Sequence, residues 1–506
     1  LSGKAFQNSL RLLADTAVLA LLAAPAAAAL LRGCGEPVAA WVEASQGLLG
    51  SRSILLLVKS GLFSTFVALL SMAGGLLLAS AFLRWKKVGR KAWFLWALLP
   101  LPPYLLALVW SAAFFQISRF IGPGPLVLQG WSAAALTEVM AFLPFAAFLA
   151  WTAIRGLDAD LLACAALLRP GTVVWLRVAL PLATPVLAAG ASVIFTLSLL
   201  DYTIPSLFAI QVYAMEPFAL YGATGRVEDA LAASVPLLIL GGVATILGLR
   251  QFKVLSSRPG REPDHFGGAL AASAGALLLG FQLVVLLGGL VGNLGTPADF
   301  VLAIRASLPE FTESLMTGLL AAMLAVSAGA WAARRIRARV HWAFLFWLGL
   351  VLGLALPAPL TGIGLLALRA WMPILPELAW PILAQTCRAL PFCALVMFAW
   401  SLRRDPALAE AGRIFAPSSL QAILKIEIPL AAPAFALAFV LALAIAMGEI
   451  GATLLITVPG HSTLAIRLYN LLHYGASREA SALALALLAP GLGFSVLALR
   501  AWRLIS

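Results

Sequence analysis

Residues 428–456 read IPLAAPAFALAFVLALAIAMGEIGATLLI, and residues 180–208 read LPLATPVLAAGASVIFTLSLLDYTIPSLF. Each opens on an aliphatic residue, Pro and Leu: Ile428-Pro429-Leu430 in one, Leu180-Pro181-Leu182 in the other. Each continues as an apolar run and reaches a single acidic residue, Glu449 and Asp201, at the same offset of 248. A run of about 20 apolar residues is long enough to cross a hydrocarbon core of ~30 Å as a helix. The two stretches therefore read as membrane spans, and their correspondence reads as an internal repeat.

Working outward, such runs recur along the whole chain. Twelve are expected, at roughly 10–31, 61–83, 93–115, 131–153, 182–200, 231–249, 268–292, 314–333, 342–366, 381–401, 431–455 and 482–500. Of the 506 residues 62% are hydrophobic and 11% charged, too few charges to cover a water-soluble protein of this length. Dyad alternation in ~10-residue segments, the mark of a membrane barrel, is missing from the sequence. The fold class is thus an all-α polytopic membrane protein. The run at 10–31 starts with Lys4 and Arg11 like a signal peptide, but it is longer than a usual signal core and has a later counterpart. It is read as a retained helix.

The net charge of +13 is distributed as a membrane protein requires. Basic residues cluster between apolar runs, as in Arg84-Trp85-Lys86-Lys87 and Arg334-Arg335-Ile336-Arg337. Lys and Arg resist translocation and collect in cytoplasmic loops. Placing both termini in the cytoplasm puts most of the 34 Lys and Arg on that side. Nucleic-acid binding is not implied. Cys34, Cys164, Cys387 and Cys393 show no CxxC spacing, and His265, His341, His461 and His473 are scattered, so no metal site is expected.

The repeat extends beyond the opening pair. Leu143-Pro144-Phe145 recurs as Leu390-Pro391-Phe392, an offset of 247, and Tyr221-Gly222-Ala223 as Tyr474-Gly475-Ala476, an offset of 253. Slowly drifting offsets mark two copies of one six-helix unit, over 1–255 and 267–506, joined by a polar cytoplasmic linker at 256–266. An even number of spans per copy makes the copies parallel.

The loop at 405–429 carries Glu410-Ala411-Gly412, then Ala416-Pro417, then Ile426 and Pro429. Leu408, Ala411, Ile414 and Phe415 form one apolar helical face, which stops near Pro417. A second short helix with Leu420, Ile423, Leu424 and Ile426 follows, giving a two-helix knob outside the bilayer. The corresponding loop at 158–181 keeps Pro170-Gly171 and Pro181 but has Ala163 where Glu410 stands. The first loop is the degenerate one.

The 405–429 loop resembles the coupling motif of binding-protein-dependent ABC importer permeases: Glu at the first position, Ala next, and a closing Pro at the twentieth. Gly412, Ala416 and Ile428 depart from the motif, where the family has Ala, Gly and Leu. Gly448-Glu449-Ile450-Gly451 and the stretch 462–470 look like the ferric-iron class of fused permeases, a group with thiamine and polyamine relatives. The resemblance implies type I importer repeats in a bacterial cytoplasmic (inner) membrane. It implies a homodimeric ATPase subunit on the coupling loops and a periplasmic solute-binding protein on the outer face. ATP and Mg would be bound by that ATPase. This chain has no Walker-A pattern G-x-x-x-x-G-K-[ST] and is expected to be neither an enzyme nor a cofactor carrier.

Ionisable and polar residues within spans are costly and usually face a cavity or a partner. Glu138, Asp201, Arg388 and Glu449 stand out, together with Gln385, which aligns with Glu138 at the 247 offset. They are candidates for a translocation pathway. The alternative is that Asp201 and Glu449 cap helices or pair with Arg, with Arg388 neutralising one of them. His461, Tyr469 and His473 are expected near the outer surface, as loop or docking residues. Among other classes, an ion-driven secondary transporter accounts for twelve spans and a membrane scaffold or sensor for the hydropathy, but neither accounts for the 405–429 loop.

Overall fold

The structure is a computed structural model, and it describes residues 2–48, 50–84, 102–121, 130–168, 171–251, 269–403, 421, 423–458, 460–475 and 477–505. The described chain is helical. In order it forms α1 (Ser2–Gly33), α2 (Val38–Leu48), α3 (Ser51–Arg84), α4 (Pro103–Ile121), α5 (Gly130–Arg155) and α6 (Ala159–Leu168). Then come α7 (Leu180–Leu200), α8 (Thr203–Leu207), α9 (Glu216–Thr224), α10 (Val227–Gln251) and α11 (Ala269–Gly292). The remainder is α12 (Pro297–Ala306), α13 (Leu308–Arg337), α14 (Ala343–Ala355), α15 (Ala358–Trp371), α16 (Ala379–Arg403), α17 (Ile428–Gly448), α18 (Thr453–Ile456), α19 (Leu464–His473) and α20 (Ser477–Ile505).

Among the described residues nine helices are long and apolar enough to cross a membrane, and a tenth crossing arises if the bent pair α14–α15 is one span. The chain is a multi-pass membrane protein. Its outer surface fits that solvent. On α10, Val235, Ile239, Val243 and Leu247 form an exposed row at a spacing of four, and on α3 Leu62 and Leu69 are two-thirds exposed. In water such rows would be aggregation sites, whereas in lipid they are the covered face.

Of the expected spans, 482–500 lies in α20, which is not among the nine, and two others take a different course. The run at 342–366 is broken, with α14 and α15 meeting at 115° around Leu356 and Pro357. Proline disfavours the α region for the residue before it, and Leu356 is extended at ψ 121. The run at 431–455 ends at Gly448, because Glu449 leaves the helix. Of the run at 93–115 only the part in α4 is described, and the linker at 256–266 lies outside the described residues.

Helices α7 and α17 have matching surroundings. Each is preceded by a five-residue π-helical turn, Trp175–Ala179 and Ile423–Glu427, and each contains 21 residues. Pro181 and Pro429 do not close a loop as expected. They sit in the first turn of α7 and α17, directly after the π turns. A π turn shifts the hydrogen-bond register, and so accommodates a residue with no N–H to give. Of the second short helix expected in the 405–429 loop, the described end is continuous with the span: Ile426 lies in a turn that runs on into α17.

The two halves of the chain pack crosswise. Helix α1 lies on α13, α14, α15 and α16, while α11 lies on α3 and α4. Small residues permit the approach: Gly364 of α15 meets the Pro25 carbonyl of α1, and Gly275 of α11 meets the Leu77 carbonyl of α3, each where a Cβ would collide with backbone. One apolar core takes residues from both halves, including Val18, Leu22, Trp110, Leu286, Ala325 and Leu390. Asp15 of α1 is buried against α13, accepting from Trp331 Nε1 at 2.8 Å and pairing with Arg335 at 2.6 Å.

Candidate functional site

Asp201 and Glu449 stand at equivalent points, just past the ends of α7 and α17. Their backbones are extended in the same way, φ −81 and ψ 124 against φ −74 and ψ 125. Each carboxylate then caps the short helix that follows. Asp201 Oδ1 accepts from the Thr203 amide at 2.9 Å and from its hydroxyl at 2.6 Å. Glu449 accepts from the Ala452 and Thr453 amides, both at 2.9 Å, one on each oxygen. The first amides of a helix have no intrahelical acceptor, so an acidic side chain there satisfies a donor and opposes the helix dipole. The difference between the caps is that Asp201 keeps Oδ2 without a hydrogen-bond partner while Glu449 has neither oxygen free.

Around Glu449 a seam of polar groups runs between the halves. Arg388, from α16, is half-buried, and its Nη1 donates to the Leu356 carbonyl at 2.8 Å, inside the α14–α15 break. A broken helix in a membrane protein must find partners for the backbone it frees, and Arg388 supplies one. It makes no ion pair among the described residues, and Glu449, one of the two acids it was expected to neutralise, offsets its charge without direct contact. Tyr202 and Tyr104, both buried near Glu449, have hydroxyls with no partner. Gly451 keeps the seam narrow: a Cβ there would lie 2.6 Å from the Ala358 Cβ and 3.4 Å from the Tyr202 hydroxyl.

Tyr469 also belongs to the seam, not to an outer loop. Its hydroxyl is 2.9 Å from Ser206 Oγ, a hydrogen bond that joins the two halves, and its ring meets Tyr104 edge-on at 6.3 Å. His473 is exposed and lies against the Tyr469 ring, with centroids 4.3 Å apart. His461 contacts Glu313 at 3.2 Å. No group of three potential metal ligands occurs among the described residues.

Glu138 and Gln385 occupy equivalent places on α5 and α16, both fully buried, but they face different partners. Glu138 Oε2 accepts from Ser198 of α7 at 2.5 Å, and Gln385 Nε2 lies 3.4 Å from Thr317 Oγ1 of α13. Each keeps one oxygen unpartnered. Asp201 is within Coulombic range of Glu138, so the first half holds two carboxyl groups at the seam where the second holds one.

The loop candidates divide by what is described. Glu410, Ala411, Gly412, Ala416, Pro417 and Pro170 lie outside the described residues. In the first loop, Asp158 accepts from the Asp160 amide and opens α6, which carries Ala163; Gly171 starts the short helix Gly171–Val174 that leads into the π turn.

Reading the sequence did not single out Tyr104, Tyr202, Ser198 or Ser206. The available signal was positional. Tyr104 follows Pro102-Pro103, and Tyr202 follows Asp201, both points where a helix must stop or start. Comparison of the chain with family models and with curated proteins finds no match in either.

Proposed function

We propose that this chain is the permease subunit of an ATP-driven, binding-protein-dependent importer, with two parallel six-helix repeats fused in one polypeptide of a bacterial cytoplasmic membrane. The observation that carries the reading is the matched pair of helices α7 and α17. Each follows a π turn at the end of a basic loop, and each ends at an acidic cap beside the polar seam between the halves. A rigid helix that starts at a cytoplasmic loop and ends at the seam carries movement from one to the other. In this reading a homodimeric ATPase grips the loops at 158–181 and 405–429, and its closure shifts α7 and α17 against each other. The seam then opens alternately outward, to a periplasmic binding protein, and inward.

The proposed cargo is ferric iron, with thiamine or a polyamine as the alternatives that the same resemblance allows. ATP and Mg act on the partner, and this chain contributes the pathway. An ion-driven secondary transporter is the rival reading.

Reconstitution in proteoliposomes with a candidate ATPase and binding protein tests the proposal. ATP-dependent uptake that requires the binding protein supports it, while uptake driven by an ion gradient without ATP overturns it. Within that assay Glu410→Ala is expected to lower ATP-driven uptake at least ~10-fold, the loss of one charge-assisted contact. Ala163→Ser is expected to leave uptake near parental. Equal, negligible effects of the two changes would remove the proposed asymmetry between the loops.

A further inference from the structure

The seam holds unpartnered acceptors at Asp201 Oδ2 and Glu138 Oε1, and around the α14–α15 break it holds donors without partners. Arg388 spends one nitrogen on the Leu356 carbonyl, remains half-buried, and has no carboxylate within ion-pair distance among the described residues. Tyr202 is 7% exposed and Tyr104 1% exposed, and neither hydroxyl has a partner. Helix α15 starts here behind Pro357, with no side chain capping it, so its positive end faces the same place. Glu449 offsets the guanidinium at a distance, but both its oxygens are already held by the Ala452 and Thr453 amides. Gly451 lies between the Tyr202 hydroxyl and the first residue of α15: a Cβ there would be 3.4 Å from the hydroxyl and 2.6 Å from the Ala358 Cβ. Interior guanidinium groups are retained where something compensates them, and a planar donor fork matches a carboxylate or a phosphate-like oxyanion.

We propose that Arg388, Tyr202 and the start of α15 form a binding site for an anionic oxygen, carboxylate or oxyanion, carried by the solute that passes through the seam. The inference rests on the importer reading for its role but not for its existence as a site. It favours cargo that bears anionic oxygen, including a metal ion that travels as an oxyanion complex, over a polyamine or a bare cation.

The test uses the full chain purified in detergent, without ATPase or binding protein, and follows unfolding through its 15 Trp residues. Inorganic phosphate and sulfate are titrated against chloride at matched ionic strength, with spermidine as the cationic arm. Phosphate or sulfate is expected to raise the melting temperature saturably. Arg388→Gln is expected to weaken the half-saturating concentration at least ~10-fold and Tyr202→Phe about threefold, as loss of a charged and a neutral hydrogen bond respectively. Arg388→Lys is expected to retain part of the response. If Arg388→Gln does not fold, Tyr202→Phe, which removes one oxygen from an unpartnered position, carries the test alone. The proposal is overturned by a response equal to chloride, by a response unchanged in both variants, or by one that spermidine reproduces. Tightly held phospholipid on the protein that blocks the anion response also overturns it, since the site then serves a headgroup. A negative result here leaves the importer reading standing, and failed ATP-driven uptake leaves the anion site standing.

Discussion

Glu138 is fully buried on α5, and Ser198 donates to one of its oxygens while Oε1 meets no donor. Burying a carboxyl group costs free energy unless its oxygens are satisfied. The equivalent residue Gln385 shows that an amide fits this place in the fold. Glu138→Gln is therefore expected to melt no lower than the parent, since it keeps an acceptor for Ser198 and removes an ionisable group. Glu138→Ala is expected to lose about 1–3 kcal/mol by leaving Ser198 unpaired and opening a void. Thermal unfolding in detergent distinguishes them, and equal losses for the two variants would show that the ionisable group itself is required. The alignment of Glu138 with Gln385 was legible in the sequence as a 247-residue offset. Its partner Ser198 was not, because that contact depends on how α5 crosses α7.

At the scale of elements, hydropathy identified where apolar helices lie but not where they turn. The run at 342–366 contains no charge to interrupt it, and a window of mean hydropathy is blind to direction. Pro357 and Pro359 were the signal for the break. Yet Pro144, Pro185, Pro391 and Pro433 lie inside continuous helices, so proline by itself does not separate a turn from a tolerated kink. What fixes the break is tertiary: Arg388 holds the freed Leu356 carbonyl, and α1 presses on α15 at Gly364. Gly364→Val is expected to cost about 1–3 kcal/mol, because a side chain there meets the Pro25 carbonyl and backbone cannot yield as a side chain does. Gly280→Ala on α11, with open space around it, is expected to be neutral or to stabilise by up to ~1 kcal/mol through helix propensity. Melting temperatures of the two variants check the contrast, and a Gly364→Val protein as stable as the parent would refute the close contact.

For the whole molecule, crosswise packing is the controlling feature. Helix α1 is held by the second half through Gly364, Leu22 against Gly349, and the Asp15–Arg335 pair, while α11 is held by the first half through Gly275 and the Gln282 contact with the Met140 carbonyl. Each half thus lends its first helix to the other. Expressed as two polypeptides divided within 256–266, the halves are expected to co-purify as one stable complex, and either half alone is expected to aggregate. Recovery of a monodisperse single half would argue against that mutual dependence. The opening stretches, 180–208 and 428–456, were sufficient to establish two apolar spans and their likeness to each other, because hydrophobic length and residue order are properties of the chain itself. The caps at Asp201 and Glu449 are local contacts that the sequence allowed as one of two readings; that Arg388 donates into the break of another helix, and that Tyr469 meets Ser206 and Tyr104, was decided only by the tertiary structure. Those contacts join residues tens to hundreds of positions apart, and their geometry depends on helix crossings that no local pattern encodes.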